Sequence, residues 1–354
     1  MIPFPDPLVA MLESVPFVGQ AARVRRGMQV LATAPRPPVG LTPHRVIHVQ
    51  DKLAVRYYAP RRESPRRTPI VIVPSLINKA YICDLEPGRS LVDALAKAGH
   101  PTYLVDWGTP GPEDAQEDVA YVVLDLLHRA VDRACRHAGS EKAVLLGYCL
   151  GGVLSVMYGA LRPSRVAGVL ALNTPARFSQ GGRFRDLVTS IEVEKAFDSD
   201  GLVPVSVLKP AFMLLDPMAN WSKHLAIEEA ARDPGKLARV LVRERWLEEN
   251  VPMPGAFAQE FIRNAYHQDR LLAGTWTLRD ERINLKNLVA PVHVVACTRD
   301  FIVPVPCATE LAAHVGGPVQ TTLLDTGHIG VVVSAEGPRS FYPLVDRWVR
   351  EIAP

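Results

Sequence analysis

Cysteine is scarce in this chain. It has five in 354 residues: Cys83, Cys135, Cys149, Cys297 and Cys307. The count is odd and no two are spaced as C-x-x-C, which argues against a disulfide framework and a structural zinc site. No uninterrupted apolar run approaches the ~18 residues of a membrane span. A net charge of +3 is too small to point to nucleic acid. The basic clusters Arg23, Arg25, Arg26 and Arg61, Arg62, Arg66, Arg67 read as solvated surface. The N-terminus lacks the basic start of a signal peptide, and Asp6, Glu13 and Pro16 interrupt its apolar residues. A cytoplasmic location is therefore expected. No metal and no resident cofactor are expected either. The apolar fraction of 48% and charged fraction of 22% are those of an ordinary globular protein with a large core.

What the chain does have is an alternation of strand and helix. Residues 1–43 form an arm, Pro-rich at both ends, in which Pro16 is expected to cut any helix short. Val46 to Tyr58 reads as an antiparallel hairpin turning at Gln50-Asp51-Lys52. Ile70 to Val73 is a continuous apolar run, as in a strand buried on both faces. A helix over Leu91–Ala98, a strand over Thr102–Trp107 and a helix over Val119–His137 follow. Next come a strand from Ala143, a helix from Val153 and a strand over Val166–Leu172. Such alternation predicts a mostly parallel sheet covered on both sides. It stops between residues 178 and 287, where helical patterns such as Leu237–Glu249 and Phe257–Tyr266 suggest an inserted cap. Strand and helix resume over residues 288–354. The expected organisation is an arm (1–43), a core in two parts (44–177 and 288–354) and a helical cap (178–287).

The chemistry centres on Gly147-Tyr148-Cys149-Leu150-Gly151, between a strand and a helix. A G-x-nucleophile-x-G elbow needs that context. Glycines flank the sulfur because strand and helix backbones approach closely there. The helix N-terminus favours thiolate over thiol. Asp300 follows the strand Val292–Ala296, and His328 follows the strand Thr321–Leu324. Nucleophile, acid and histidine thus fall in the chain order of the α/β-hydrolase fold, each at a strand end on one sheet edge. An imidazole converts the thiol to a thiolate, and a carboxylate fixes the imidazole's tautomer. Asp325, on the same loop as His328, is a weaker alternative to Asp300. His293 reads as a core histidine and His100 as part of a turn. Acyl transfer also needs an oxyanion hole, for which the N–H groups of Leu150 and Ile77 are the expected donors. Asn78, Asp106, Trp107 and Tyr148 are assigned to the substrate side. Asn78 reads equally as a loop cap and Asp106 as a structural cap.

Several of these stretches together resemble the polyhydroxyalkanoate synthases. Leu76-Ile77-Asn78-Lys79-Ala80-Tyr81 is similar to the family's oxyanion-side loop, and Tyr103 to Gly108 to its strand-end D-W-G. Gly147 to Gly152 is similar to its lipase-like box, with Cys in place of Ser. Asp300 and Gly327-His328-Ile329-Gly330 correspond to its Asp and G-H-I loops. Arg263 to Tyr266 with Leu271 resembles its insertion, but Asp269 stands where many members carry Asn. The likeness runs over roughly residues 45–350, and the short arm resembles the subunits that work with a separate second protein. It implies transfer of (R)-3-hydroxyacyl units from coenzyme A, a substrate rather than a cofactor, onto a growing polyester at a granule surface. A homodimer is left open. Two rival readings remain at this point: a thioesterase or esterase with a cysteine nucleophile, and a non-catalytic subunit that kept the fold.

Overall fold

The computed structural model describes residues 16–63, 66–192, 195–215 and 217–353. Its centre is an eight-stranded sheet. The strands are β1 (Arg45–Gln50), β2 (Leu53–Tyr58), β3 (Ile70–Val73), β4 (Thr102–Asp106), β5 (Ala143–Tyr148), β6 (Val166–Leu172), β7 (Val292–Cys297) and β8 (Val319–Leu324). They lie in the order β1-β2-β4-β3-β5-β6-β7-β8. The hairpin β1–β2 is antiparallel, as its sequence suggested, and β2 also pairs antiparallel with β4. Every pair from β4 to β8 is parallel.

The apolar runs explain this arrangement. In β5, Ala143 and Leu145 join one hydrophobic cluster, while Val144, Leu146 and Tyr148 join the cluster on the other face. A strand buried on both sides needs no polar alternation. One face is covered by α3 (His128–Ala138) and α4 (Leu150–Leu161), the other by α2 (Leu91–Ala98) and α10 (Tyr342–Ile352). The helix expected over Val119–His137 contains a π-helical turn at Tyr121–Leu127 before α3. Ser90 caps α2 by accepting from the Asp93 N–H, and Gly99 ends it in the left-handed conformation.

Between β6 and β7 the chain is mostly helical: α5 (Gly182–Ser190), α6 (Val205–Leu215), α7 (Pro217–Ala230), α8 (Pro234–Glu248) and α9 (Gly255–Phe261). A short antiparallel ladder, Leu202–Val203 with Met253–Pro254, ties the middle of this stretch together.

The arm carries a helix that its sequence did not announce, α1 (Pro16–Thr33). The stretch over which Pro16 was expected to cut a helix short, with Leu8, Met11 and Leu12, lies outside the described residues. α1 packs on α7 so closely that a Cβ on Gly27 would stand 2.0 Å from the His224 carbonyl oxygen. Arg23 and Arg26 are not simply solvated: both face Glu228 of α7, at 3.0 and 3.5 Å. Among the described residues no helix is long and apolar enough to cross a membrane.

Candidate active site

Parallel register places the three candidate side chains. Cys297 at the end of β7 pairs with Leu324 at the end of β8. The loops that follow therefore leave the sheet side by side. They are bonded to each other by Thr298 N–H to Leu324 O (2.9 Å) and Arg299 N–H to Thr326 O (3.0 Å). That brings His328 Nδ1 to 2.5 Å from Asp300 Oδ2. The second oxygen of Asp300 accepts from the Ile302 and Val303 N–H groups, both at 2.9 Å. Two loop amides and one imidazole thus fix this carboxylate, which is almost fully buried.

Cys149 follows β5 directly and has φ 55°, in the left-handed region. For a residue with a Cβ this is strained, and the surroundings hold it. Its N–H bonds Leu172 O at 2.9 Å, and its carbonyl accepts from Gly152 N–H at 2.9 Å. The flanking glycines are obligatory. A Cβ on Gly147 would lie 2.4 Å from the Gly152 Cα, and one on Gly151 would lie 2.0 Å from the Val73 carbonyl oxygen.

His328 is hydrogen-bonded to Asp300, and Cys149 lies close enough to act on the ring electrostatically. With Nδ1 engaged by Asp300, Nε2 is the atom left for the sulfur. Burial opposes charge on this ring, but Asp300 and Cys149 outweigh it, and the imidazole is pushed up to about 10. The other four cysteines are buried. Burial pushes Cys135 up to about 11, and Cys83, Cys297 and Cys307 up to about 12. Cys149 alone among the five is half-buried and lines a cavity.

That cavity has a volume of about 1210 Å³ and lies under the inserted helices. Tyr148, Cys149, Leu150, His328, Ile77 and Asn78 all line it. Leu150 opens α4, so its N–H belongs to the first helical turn, where no intrahelical acceptor exists. The Ile77 carbonyl accepts from Val251 N–H at 3.1 Å, and Asn78 Nδ2 donates to Asn250 Oδ1 at 2.7 Å. The loop after β3 is thus joined to the segment that follows α8.

Residues 68–314 match the family model described as the alpha/beta hydrolase fold. The chain belongs to the alpha/beta hydrolase fold family. Residues 37–95 match a second model, the Poly-beta-hydroxybutyrate polymerase (PhaC) N-terminus. The chain is 29% identical over 323 residues to the poly(3-hydroxyalkanoate) polymerase subunit PhaC of Synechocystis sp., covering 88% of this chain and 85% of that protein. To the corresponding subunit of Thiocystis violacea it is 28% identical over 334 residues, covering 93% and 94%. The resemblance read from the motifs therefore stands. Among solved structures, the monoacylglycerol lipase of Paleococcus ferrophilus is similar in fold, with a TM-score of 0.52 at 18% identity over 85% of this chain and 99% of that one.

Within this hydrolase fold, two residues assigned to the substrate side lie elsewhere. Asp106 and Trp107 do not line the cavity. Asp106 pairs with Arg56 of β2 and accepts from Gly108 N–H at 3.1 Å. The Trp107 indole N–H donates to Pro74 O at 2.9 Å, steadying the loop that carries Ile77. Tyr148 does line the cavity, yet its hydroxyl is used to hold His328 O at 2.9 Å. Asn78 both lines the cavity and bonds the insertion. Asp325 faces away from His328: it pairs with Arg299 at 3.1 Å and accepts from Thr298. His293 is a core histidine bonded to Thr322, held down to about 4 by burial. His100 is buried and bonds Asp346 at 2.7 Å.

Sequence reading missed Asn173. It is the first residue beyond β6, with φ 43°, and its Nδ2 donates to His328 O at 3.1 Å. An Asn just past a strand end on the same edge was the available signal, since Asn tolerates the left-handed region. Asp269 was noticed only as a departure from the family. Its carboxylate accepts from Phe178 N–H (2.9 Å) and from the Ser179 hydroxyl (2.6 Å), so it pins the chain where it enters the insertion.

Proposed function

We propose that this protein is the catalytic subunit of a polyhydroxyalkanoate synthase, with Cys149 as nucleophile, His328 as general base and acid, and Asp300 orienting His328. The observation that carries the reading is the Asp300–His328 hydrogen bond with Cys149 and His328 together on a capped cavity, in a chain that matches PhaC subunits over nearly their whole length.

The Cys149 thiolate attacks the carbonyl of an (R)-3-hydroxyacyl-CoA. The Leu150 and Ile77 N–H groups receive the charge that develops on the carbonyl oxygen. The C–S bond to coenzyme A breaks, and the His328 imidazolium protonates the departing thiolate. One thioester has replaced another, so the acyl group keeps its reactivity. His328 then takes the proton of an incoming 3-hydroxyl as that oxygen attacks the acyl-enzyme. An ester forms and the sulfur leaves. Water arriving instead would give hydrolysis, and the covering helices serve to exclude it. The reaction needs no metal or resident cofactor. A cytoplasmic location at the polymer surface and work with a second subunit are part of the same proposal.

The test is a product assay with purified protein and (R)-3-hydroxybutyryl-CoA, with and without a partner subunit encoded beside it. Insoluble polyester forming in step with CoA release supports the synthase. Free acid in step with CoA release makes the protein a thioesterase. No CoA release in either setting favours a binding protein.

A further inference from the structure

The cavity over Cys149 is not uniform. Phe184, Val188, Val207, Leu208 and Phe261 give it an apolar wall. Helix α8 gives it a cationic one, with Lys236, Arg239 and Arg243 on the lining. Their spacing of three and four residues puts them on a single helical stripe. Arg232, just before the helix, also lines the cavity. Acidic residues are present on this wall too, and two of the four are already engaged. Asp233 caps α8 by accepting from the Gly235 and Lys236 N–H groups. Glu244 lies between Lys223 (3.2 Å) and Arg243 (3.1 Å). Glu229 and Glu248 are the remaining acids along this wall. Arg232 faces Glu228 at 3.8 Å. Lys236 and Arg239 have no ion-pair partner among the described residues.

The other end of α8 is tied to the loop after β3, and Trp246 there lines the cavity. The Trp246 indole N–H donates to Lys79 O at 2.8 Å, on the loop that carries Ile77 and Asn78. Ten residues separate Trp246 from Lys236 along the helix. At ~1.5 Å per residue that is about 15 Å. An extended pantetheine arm has about thirteen bonds between sulfur and phosphorus. At the extended-chain reach of ~3.4 Å per three bonds it also spans roughly 15 Å.

Resting on the synthase reading, we propose that Lys236 and Arg239 bind the phosphates of the coenzyme A thioester, with Arg243 beside them. The nucleotide then lies along the N-terminal half of α8, and the thioester reaches Cys149 beyond its C-terminal end. An arginine suits this task because its guanidinium meets phosphate oxygens in a planar fork.

The experiment compares (R)-3-hydroxybutyryl-CoA with the N-acetylcysteamine thioester of the same acid, which carries no phosphate. The full-length protein is used, with its partner subunit where activity requires one. The double variant Lys236→Ala/Arg239→Ala is expected to lower the ratio of kcat/KM for the two substrates about 10- to 100-fold, through KM of the CoA substrate. Lys236→Arg/Arg239→Lys is expected to restore most of that ratio. An unchanged ratio overturns the proposal, including the case where both substrates suffer equally from a damaged helix. Should the wild type turn over neither thioester, the synthase reading fails, and calorimetry with coenzyme A alone decides the phosphate site. Weaker binding to the double variant then supports it; equal binding overturns it.

Discussion

Tyr148 holds His328 twice. Its ring stacks on the imidazole with centroids 5.4 Å apart and planes 29° apart, and its hydroxyl donates to the His328 carbonyl at 2.9 Å. The residue before the nucleophile thus positions the base that serves it. Asn173 reaches the same carbonyl from the next strand. Replacing Tyr148 by Phe keeps the stack and removes one buried hydrogen bond. We expect a loss of about 1–2 kcal/mol in stability and a several-fold fall in kcat, with KM little changed. Urea unfolding and steady-state kinetics check both numbers.

The five thiols should react very unequally. Four are buried and pushed up to about 11 or 12, while Cys149 faces the same cavity as His328. Iodoacetamide under native conditions should label Cys149 at least tenfold faster than the rest. Peptide mass spectrometry over a time course reads this directly. In the same series Cys149→Ala should abolish turnover. Cys149→Ser should lose most of it, because an alkoxide needs a stronger base than a thiolate.

His328 should also leave a signature in stability. Its folded-state value lies near 10, above the ordinary value of 6.5. A base raised by folding contributes stability that is complete below ~6.5 and is lost as pH climbs through ~10. The stability difference between wild type and His328→Gln should therefore shrink steadily from pH 6.5 to 10. Denaturant unfolding across that window tests it, and a difference that grows with pH would count against the ion pair. Asp300→Asn should lower the imidazole's value, leave acylation partly alive and slow elongation.

Asp269 is expected to govern the fate of the acyl group rather than its formation. Its carboxylate ties down residues 178 and 179, where the chain passes from β6 into the insertion. Asp269→Ala frees that entry and should raise the fraction of CoA release that ends as free acid. Asp269→Asn keeps an acceptor and should change it by less than twofold. Simultaneous assay of CoA, free acid and polymer distinguishes the outcomes.

Much of this was legible before the coordinates. The continuous apolar runs announced strands buried on both faces, and three loops on one edge announced Cys149, Asp300 and His328. The hidden parts depended on partners distant in sequence. α1 was illegible because its counterpart, α7, lies about two hundred residues away. The sequence put Asp106 and Trp107 at the correct edge, but could not reveal that Arg56 and the Pro74 carbonyl would claim them. Asn78 had two readings, and its bond to Asn250 shows the tie to the insertion.

The central claim is that an acyl group passes through one sulfur. Intact-protein and peptide mass spectrometry after brief exposure to (R)-3-hydroxybutyryl-CoA tests it most directly. The account predicts one or more hydroxybutyryl units on Cys149, absent from Cys149→Ala and accumulating when His328→Gln slows their transfer. CoA release with no adduct on Cys149, or with the adduct on another residue, would contradict it.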